Sequence, residues 1–333
     1  MKRKTTLAPI AAAIVFSFSV STVYGFEPLV TPSVDDMVLY DDEENTQAEI
    51  DLGKTLFFDN RLSSNHKQNC ATCHDPEKGF SDGMATGFGT EGNKLERNSP
   101  QLYNLGWSSI FMWDGREPTL ESQALGPIQA AGEMNLPIPE LLTRLNAVEG
   151  YRKLFKDVYE IDEITADAVG RAIAAFERSI IVDNTPFDQF LAGDKSAMSE
   201  SAQRGLAVFS GKGNCAQCHD GANFTDDSFH NLGFGGDNHD KGRAAITGDV
   251  SQTGAFKTPG LRNIEFSAPY MHDGSIATLE SVVDYYNRGG SGGEHTSDII
   301  KPLQLTQVEQ QDLVAFLKSL SQDITITVPK IPN

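Results

Sequence analysis

Two short stretches carry most of the chemistry in this 333-residue chain. They are Cys70-Ala-Thr-Cys73-His74 and Cys215-Ala-Gln-Cys218-His219. Cysteines three apart reach the two vinyl groups on one porphyrin edge, and the adjacent histidine swings under the ring to ligate iron. This CxxCH spacing is the attachment pattern of a c-type haem. A redox dithiol is the alternative for one copy alone. A zinc site needs four ligands held together, and neither motif has a clean second pair. Two copies, each followed by Asp, predict two covalently bound haems, which uses all four cysteines and leaves no disulfide.

Each motif must be positioned, and the chain writes the positioning elements twice. Gly53-Lys-Thr-Leu-Phe57 precedes the first CxxCH and Gly205-Leu-Ala-Val-Phe209 the second. Ser99-Pro-Gln-Leu-Tyr-Asn104 is echoed by Thr258-Pro-Gly-Leu-Arg-Asn263. Asp114-Gly115 and Asp273-Gly274 follow at the same distance from Pro100 and Pro259, and a Thr-Leu-Glu-Ser tetrapeptide follows each. A shared register of this length predicts an internal duplication. The expected fold is mainly α, with two related c-type cytochrome domains and the haems near their interface. Residues 26–185 would form the first domain and 186–320 the second, with a break near Asn184-Thr-Pro186. The tail 321–333 is expected to run extended and pack back on the first.

Local signals agree with helices. Thr46-x-x-Glu49 is a capping-box signature. Val169, Ile173, Phe176 and Ile180 make one apolar stripe, and Leu313, Phe316, Leu317 and Leu320 another. The Gly-rich stretches 231–248 and 287–293 read as loops.

The aligned differences between copies are the useful data. Trp113 stands opposite His272, Gln123 opposite Val282, and Pro127 opposite Tyr286. If the Thr-Leu-Glu-Ser helix covers its haem, Tyr286 can supply a phenolate to the second iron, with Tyr285 and Met271 as competitors. Pro127 has no ligating atom, so the first haem would stay open, and open haems bind peroxide or oxygen. Glu133 is the nearest acid beyond Pro127. A carboxylate there can move a proton between peroxide oxygens, although a lone acid is also an ordinary solvated one. Trp113 reads as core packing or as an electron relay between haems. His272 is expected to hydrogen-bond near a haem edge rather than ligate iron. His66, His230 and His239 take no role from the sequence.

Composition bounds the setting. Lys2, Arg3 and Lys4 precede an apolar run from Leu7 to Val20 and small residues near Gly25, the layout of a signal peptide over residues 1–25. No later stretch approaches the length of a membrane span, so the chain is expected to be exported, to the periplasm. The formal charge is −19, and removing the three basic leader residues makes it −22. Such a chain repels nucleic acid and anionic membrane and suits a basic partner.

These motifs resemble the bacterial di-haem cytochrome c peroxidases, and among them the MauG-like branch, over roughly residues 46–320. The carrying stretches include Arg97-Asn-Ser-Pro, Phe111-x-Trp-Asp-Gly-Arg116, Gln123-Ala-Leu-Gly-Pro-Ile128, Gly132-Glu-Met134 and Ala268-Pro-Tyr-Met-His-Asp-Gly274. The resemblance implies that His74 is the proximal ligand of the peroxide-reactive haem, Glu133 the catalytic glutamate, Gln123 the distal glutamine and Trp113 the tryptophan between haems. It implies His219 and Tyr286 as axial ligands of the second haem. It also implies a calcium ion between the domains, held by Asn98 and by the backbone carbonyls of Ser267 and Pro269, with Ser267 replacing the usual threonine. Two departures from ordinary peroxidases matter. The loop Asp75–Arg97 has no distal histidine, and tyrosine replaces methionine at position 286. The expected activity is hydrogen peroxide reduction to water without prior reduction, using a small cytochrome c or cupredoxin as electron donor. The alternatives are a MauG-like enzyme that oxidises side chains of a partner protein, and a non-enzymatic electron carrier or redox sensor. Dimers are common in the family, and no interface is readable in this chain.

Overall fold

The computed structural model describes residues 27–233 and 240–333; the expected signal peptide and His239 lie outside them. The helices are α1 (Gln47–Phe57), α2 (Cys70–Cys73), α3 (Leu120–Gln129), α4 (Ile138–Ala147), α5 (Glu149–Tyr159), α6 (Ala166–Arg178), α7 (Pro186–Leu191), α8 (Glu200–Ser210), α9 (Ala244–Thr247), α10 (Leu279–Asn287) and α11 (Gln307–Lys318). A two-residue antiparallel pair, β1 (Phe229–His230) and β2 (Phe256–Lys257), is the sheet among the described residues. The architecture is mainly helical. No helix of the described residues is long and apolar enough to cross a membrane.

The Thr46–Glu49 capping box forms at the start of α1: the Thr46 hydroxyl accepts from the Glu49 N–H, and the Glu49 carboxylate accepts from the Thr46 N–H. That satisfies two helix-end donors reciprocally. The two apolar stripes are buried, with Ile180 and Leu320 just past the ends of α6 and α11. Within the Gly-rich stretch expected as loop, α9 forms one turn and is closed by Gly248 at φ 74°.

In the first half α1 crosses α6, and in the second α8 crosses α11, by the same device. A Cβ at Gly53 would run into the Ala172 carbonyl, and one at Gly205 into the Asp312 carbonyl. Only glycine lets the helix backbones approach that closely. Beside each glycine a pair of phenylalanines meets edge to face or tilted: Phe57 with Phe176 at 5.1 Å between ring centres and Phe209 with Phe316 at 5.0 Å. The register repeats at the turns. Asn104 and Asn263 have φ of 55° and 57°, and Met112 and Met271 have 70° and 77°. The antiparallel bridge Phe111–Glu117 is matched by Tyr270–Ile276.

The buried cores divide with the chain. Phe57 and Val182 belong to a cluster of the first half, and Phe187 to Leu320 make one cluster of the second. Residues 321–333 run back along the first half, where Ile324 and Ile326 pack against the Phe57 cluster and Arg61 Nη2 donates to the Pro332 carbonyl at 2.7 Å.

Candidate active site

Between the halves lies a continuous cavity of about 820 Å³, and both CxxCH motifs line it. In the first, α2 is one turn of helix, so Cys70 and Cys73 fall on one face and His74 begins the exit. His74 Nδ1 lies 3.0 Å from the Phe80 carbonyl, and His219 Nδ1 lies 2.9 Å from the Phe224 carbonyl. A carbonyl only accepts, so Nδ1 must carry the proton in both rings. That leaves each Nε2 with its lone pair for a metal. Burial lowers both imidazole pKa values and keeps the rings neutral, as ligation requires. Burial also pushes the Cys73 thiol up to about 11 and the Cys215 thiol up to about 12. Cys73 is raised further by the Asp82 and Glu133 carboxyls and Cys215 by the Cys218 sulfur, so neither is held as a thiolate, which suits thioethers better than a zinc site.

Three cavity-lining residues of the first half carry a buried polar atom with no partner among the described residues: Gln101 Oε1, Gln123 Oε1 and Glu177 Oε2. A cavity of this size, neutral imidazoles, paired cysteines and orphaned polar atoms together fit a haem at each motif.

The other candidates also line the cavity. Glu133 sits in the turn after α3, where its N–H donates to the Ala130 carbonyl at 2.9 Å and its carbonyl accepts from Thr90 at 2.8 Å. Its carboxyl makes no hydrogen bond among the described residues and lies near enough to Cys73 to raise that thiol. Burial raises the Glu133 pKa, against a smaller opposing pull from Arg116. Gln123 Nε2 stands 4.0 Å from the Met112 sulfur, and Pro127 lies in α3 on the same side. Trp113 is tethered twice. Its indole Nε1 donates to the Asn98 carbonyl at 2.9 Å, and its own carbonyl accepts from Lys257 N in the second half at 2.8 Å.

On the second half Tyr286 faces the cavity. Burial first, then the Cys215 and Cys218 sulfurs, push its phenol far up. A phenolate there needs a compensating cation, and a ligated iron supplies one. The competing Tyr285 is turned elsewhere, with its hydroxyl donating to the Leu232 carbonyl at 2.7 Å. Met271 lines the cavity. His272 stacks on Phe256 with ring centres 3.7 Å apart, which leaves its in-plane ring nitrogens to the cavity edge. His230 Nε2 lies 3.0 Å from Asp226 Oδ2, and with Cys218 the three donor atoms fall within 4.8 Å of one another. Haem attachment would consume the Cys218 sulfur of that trio. His66 is exposed, away from this cavity.

For the expected calcium ion, Asn98, Ser267 and Pro269 all line the cavity. Asn98 Nδ2 donates to the Met84 and Ala85 carbonyls at 3.0 and 3.2 Å, which leaves Oδ1 without a described donor. The Ser267 hydroxyl turns back to the Ile264 carbonyl at 3.4 Å.

Sequence reasoning missed two features. Arg97 was quoted only as part of a motif, yet it joins the halves: Nε donates to Asp240 Oδ2 and Nη1 to Asp114 Oδ2, both at 2.7 Å. Glu177 went unnoticed because it sits beside Phe176 at the edge of an apolar helix stripe.

The fold and cavity define an oxidoreductase built on two c-type haem seats. Residues 47–196 match the family model for di-haem cytochrome c peroxidase. The chain is 43% identical to the methylamine utilization protein MauG of Methylorubrum extorquens, over 86% of this chain and 82% of that one. It is 36% identical to the cytochrome c551 peroxidase of Nitrosomonas europaea, over 82% and 80%. Among solved structures, a MauG-like protein associated with microbial copper homeostasis superposes with a TM-score of 0.77 at 33% identity, covering 90% of this chain and 95% of that one. The diheme peroxidase BthA of Burkholderia thailandensis shares the fold, with a TM-score of 0.72 at 22% identity, covering 90% and 95%. The chain belongs to the di-haem cytochrome c peroxidase and MauG family, whose members are oxidoreductases carrying two c-type haems.

Proposed function

We propose that this protein is an exported di-haem peroxidase that reduces hydrogen peroxide to water at the first haem without prior reduction. The observation that supports it most is the unequal pair of cavity walls. Pro127 of the first half, which has no ligating atom, stands at the register of Tyr286 in the second, and Gln123 and Glu133 line the same cavity. Cys70, Cys73 and His74 would hold the first haem, which would supply the redox-active iron for the reaction. Glu133 is placed to take a proton from one peroxide oxygen and return it to the other, and its raised pKa suits both roles. Gln123 orients the peroxide through its unpartnered amide oxygen, which accepts from a peroxide O–H. Trp113, tethered to both halves, would carry oxidising equivalents toward the His219 and Tyr286 side. Two electrons from a small redox protein, a cytochrome c or cupredoxin, and two protons complete the conversion of peroxide to two waters. Asn98, Ser267 and Pro269 hold a calcium ion between two haem domains, 26–185 and 186–320, and residues 1–25 are a signal peptide that sends the chain to the periplasm.

Stopped-flow mixing of the fully ferric protein with peroxide tests this. A prompt spectral change is expected, and a spectrum that stays unchanged until the protein is reduced would remove the open-haem reading. The 43% identity to a MauG protein favours a second reading, oxidation of side chains on a partner protein. Rapid turnover with a reduced small cytochrome supports the first reading; oxidation of a candidate partner without such turnover supports the second.

A further inference from the structure

The repeat places a carboxyl against the first haem seat at a position where the second seat has leucine. Phe176 in α6 and Phe316 in α11 are equivalent, since each packs on its own half's glycine and phenylalanine. The next residues are Glu177 and Leu317, and both line the cavity. The residues after those, Arg178 and Lys318, confirm the register: Arg178 Nη1 pairs with Glu121 at 2.6 Å and Lys318 Nζ with Glu280 at 3.6 Å, each glutamate from its own Thr-Leu-Glu-Ser. Leu317 belongs to the buried apolar cluster of the second half, against which Cys215 packs. Glu177 is 4% exposed, its Oε2 is buried without a partner, and it lies close enough to Cys70 to raise that thiol.

We propose that Glu177 is the proton-holding group of the first haem: it takes up one proton when that haem gains an electron and releases it when the electron leaves. An uncompensated carboxylate in a dry cavity is disfavoured. The ferric haem, with one more positive charge, tolerates it better than the ferrous haem. Reduction therefore adds one electron to the iron and one proton to a Glu177 carboxylate oxygen, and the net charge of the pocket is unchanged. The facing charges are Arg178 on the same helix and Glu121 on α3, paired with each other; Cys70 is the remaining titratable neighbour. Burial, and to a lesser degree Glu121, push the Glu177 carboxyl up to about 8 against the pull of Arg178. The second seat lacks this group.

The inference rests on the two haem seats and not on which of them meets peroxide. Its test reads potentials, so its failure is distinct from a failure of the peroxidase reading, which the ferric stopped-flow experiment judges. Spectroelectrochemical titration of the holoprotein between about pH 6 and pH 9 should show the first-haem potential falling as pH rises. The limit is ~59 mV per tenfold change in proton concentration for one electron. Glu177→Gln should flatten that slope and leave the second haem's pH response unchanged, and Leu317→Glu should add a slope to the second haem. A first-haem slope that survives Glu177→Gln, or a wild-type potential that ignores pH, overturns the proposal. Should the variants fail to fold, redox-difference infrared spectra of wild-type protein labelled with 13C-glutamate decide the matter. A labelled protonated-carboxyl band that grows on reduction of the first haem is expected, and its absence overturns the proposal.

Discussion

The two halves share a frame and differ where they face the cavity. Helix crossings, αL turns and histidine tautomers repeat almost residue for residue. Tyr103 and Arg262 show how much a single shared position can change. Each sits against the phenylalanine whose carbonyl accepts from its half's CxxCH histidine. Tyr103 meets Phe80 edge-on at 5.3 Å between centres, and the Arg262 guanidinium lies 5.6 Å from the Phe224 ring. Tyr103 packs there, and its hydroxyl meets the Asn263 side chain. Arg262, 1% exposed, also pairs with Asp188 through Nη1 at 2.9 Å and reaches the Val30 and Ala222 carbonyls. The same site thus closes an aromatic cluster in one half and anchors an N-terminal segment in the other. Pro127 against Tyr286 and Glu177 against Leu317 show the same divergence turned toward the haems. The shared frame tolerates such changes because helix crossing, set by Gly53 and Gly205, does not depend on what the cavity wall carries.

The largest expected effect breaks the symmetry on the reactive side. Glu133→Gln should lower peroxide turnover by ~10²–10⁴-fold, with little change in either haem's resting spectrum. In the wild type, kcat/KM should fall as pH drops through the Glu133 pKa, because the proton-accepting form is lost. Burial, partly offset by Arg116, raises that pKa, so the acid limb should lie above the ordinary carboxylate range. Steady-state rates across pH check both points, and a limb that persists in Glu133→Gln would assign it to another group.

Arg262→Leu comes next. Burial alone would raise the Asp188 carboxyl, and Arg262 with Thr185 holds it below the usual range. Removing the cation leaves a buried unpaired charge, a loss of about 3–5 kcal/mol. Tyr103→Leu removes an aromatic contact of about 0.5–1.5 kcal/mol beyond its area. Denaturant titrations of the holoprotein should rank the two in that order; equal losses would mean that Arg262 contributes only packing.

How much of this was legible beforehand depended on sequence distance. The CxxCH motifs are contiguous because one porphyrin edge dictates their spacing, so they could be read directly. Tyr286 could be singled out because its helix begins with the same tetrapeptide as its twin. Arg97 with Asp240 could not, since the partners are 143 residues apart and charged residues are common on any surface. Glu177 was hidden for another reason. Helical periodicity says which face is buried, but not whether that face meets side chains or a cavity. The double tether of Trp113 is likewise tertiary, and the proposed calcium ligands are reachable only through family resemblance.

Gly53→Ala and Gly205→Ala probe the shared frame itself. In each a methyl group meets a backbone carbonyl of the crossing helix, and such overpacking typically costs about 1–3 kcal/mol. Similar losses in denaturant titration are expected. A large difference between the two would show that the crossings are not equivalent after all.

The smallest effects give the finest comparison. Thr119 and Thr278 cap α3 and α10 identically: each hydroxyl accepts from the N–H of the serine three residues on, at 3.1 Å in both. Replacing either with alanine should cost ~1 kcal/mol, so the unfolding shifts should match. The functional consequences should not. Fraying α3 loosens Gln123, in a helix already interrupted by Pro127, which has no N–H to donate. Thr119→Ala should therefore slow peroxide turnover with the second haem's spectrum unchanged. Fraying α10 loosens Tyr286, so Thr278→Ala should broaden or weaken the second haem's low-spin paramagnetic resonance while peroxide still reacts at the first. Matched stabilities with opposite readouts would mean that one helix design serves two tasks, assigned by what stands eight residues beyond the cap.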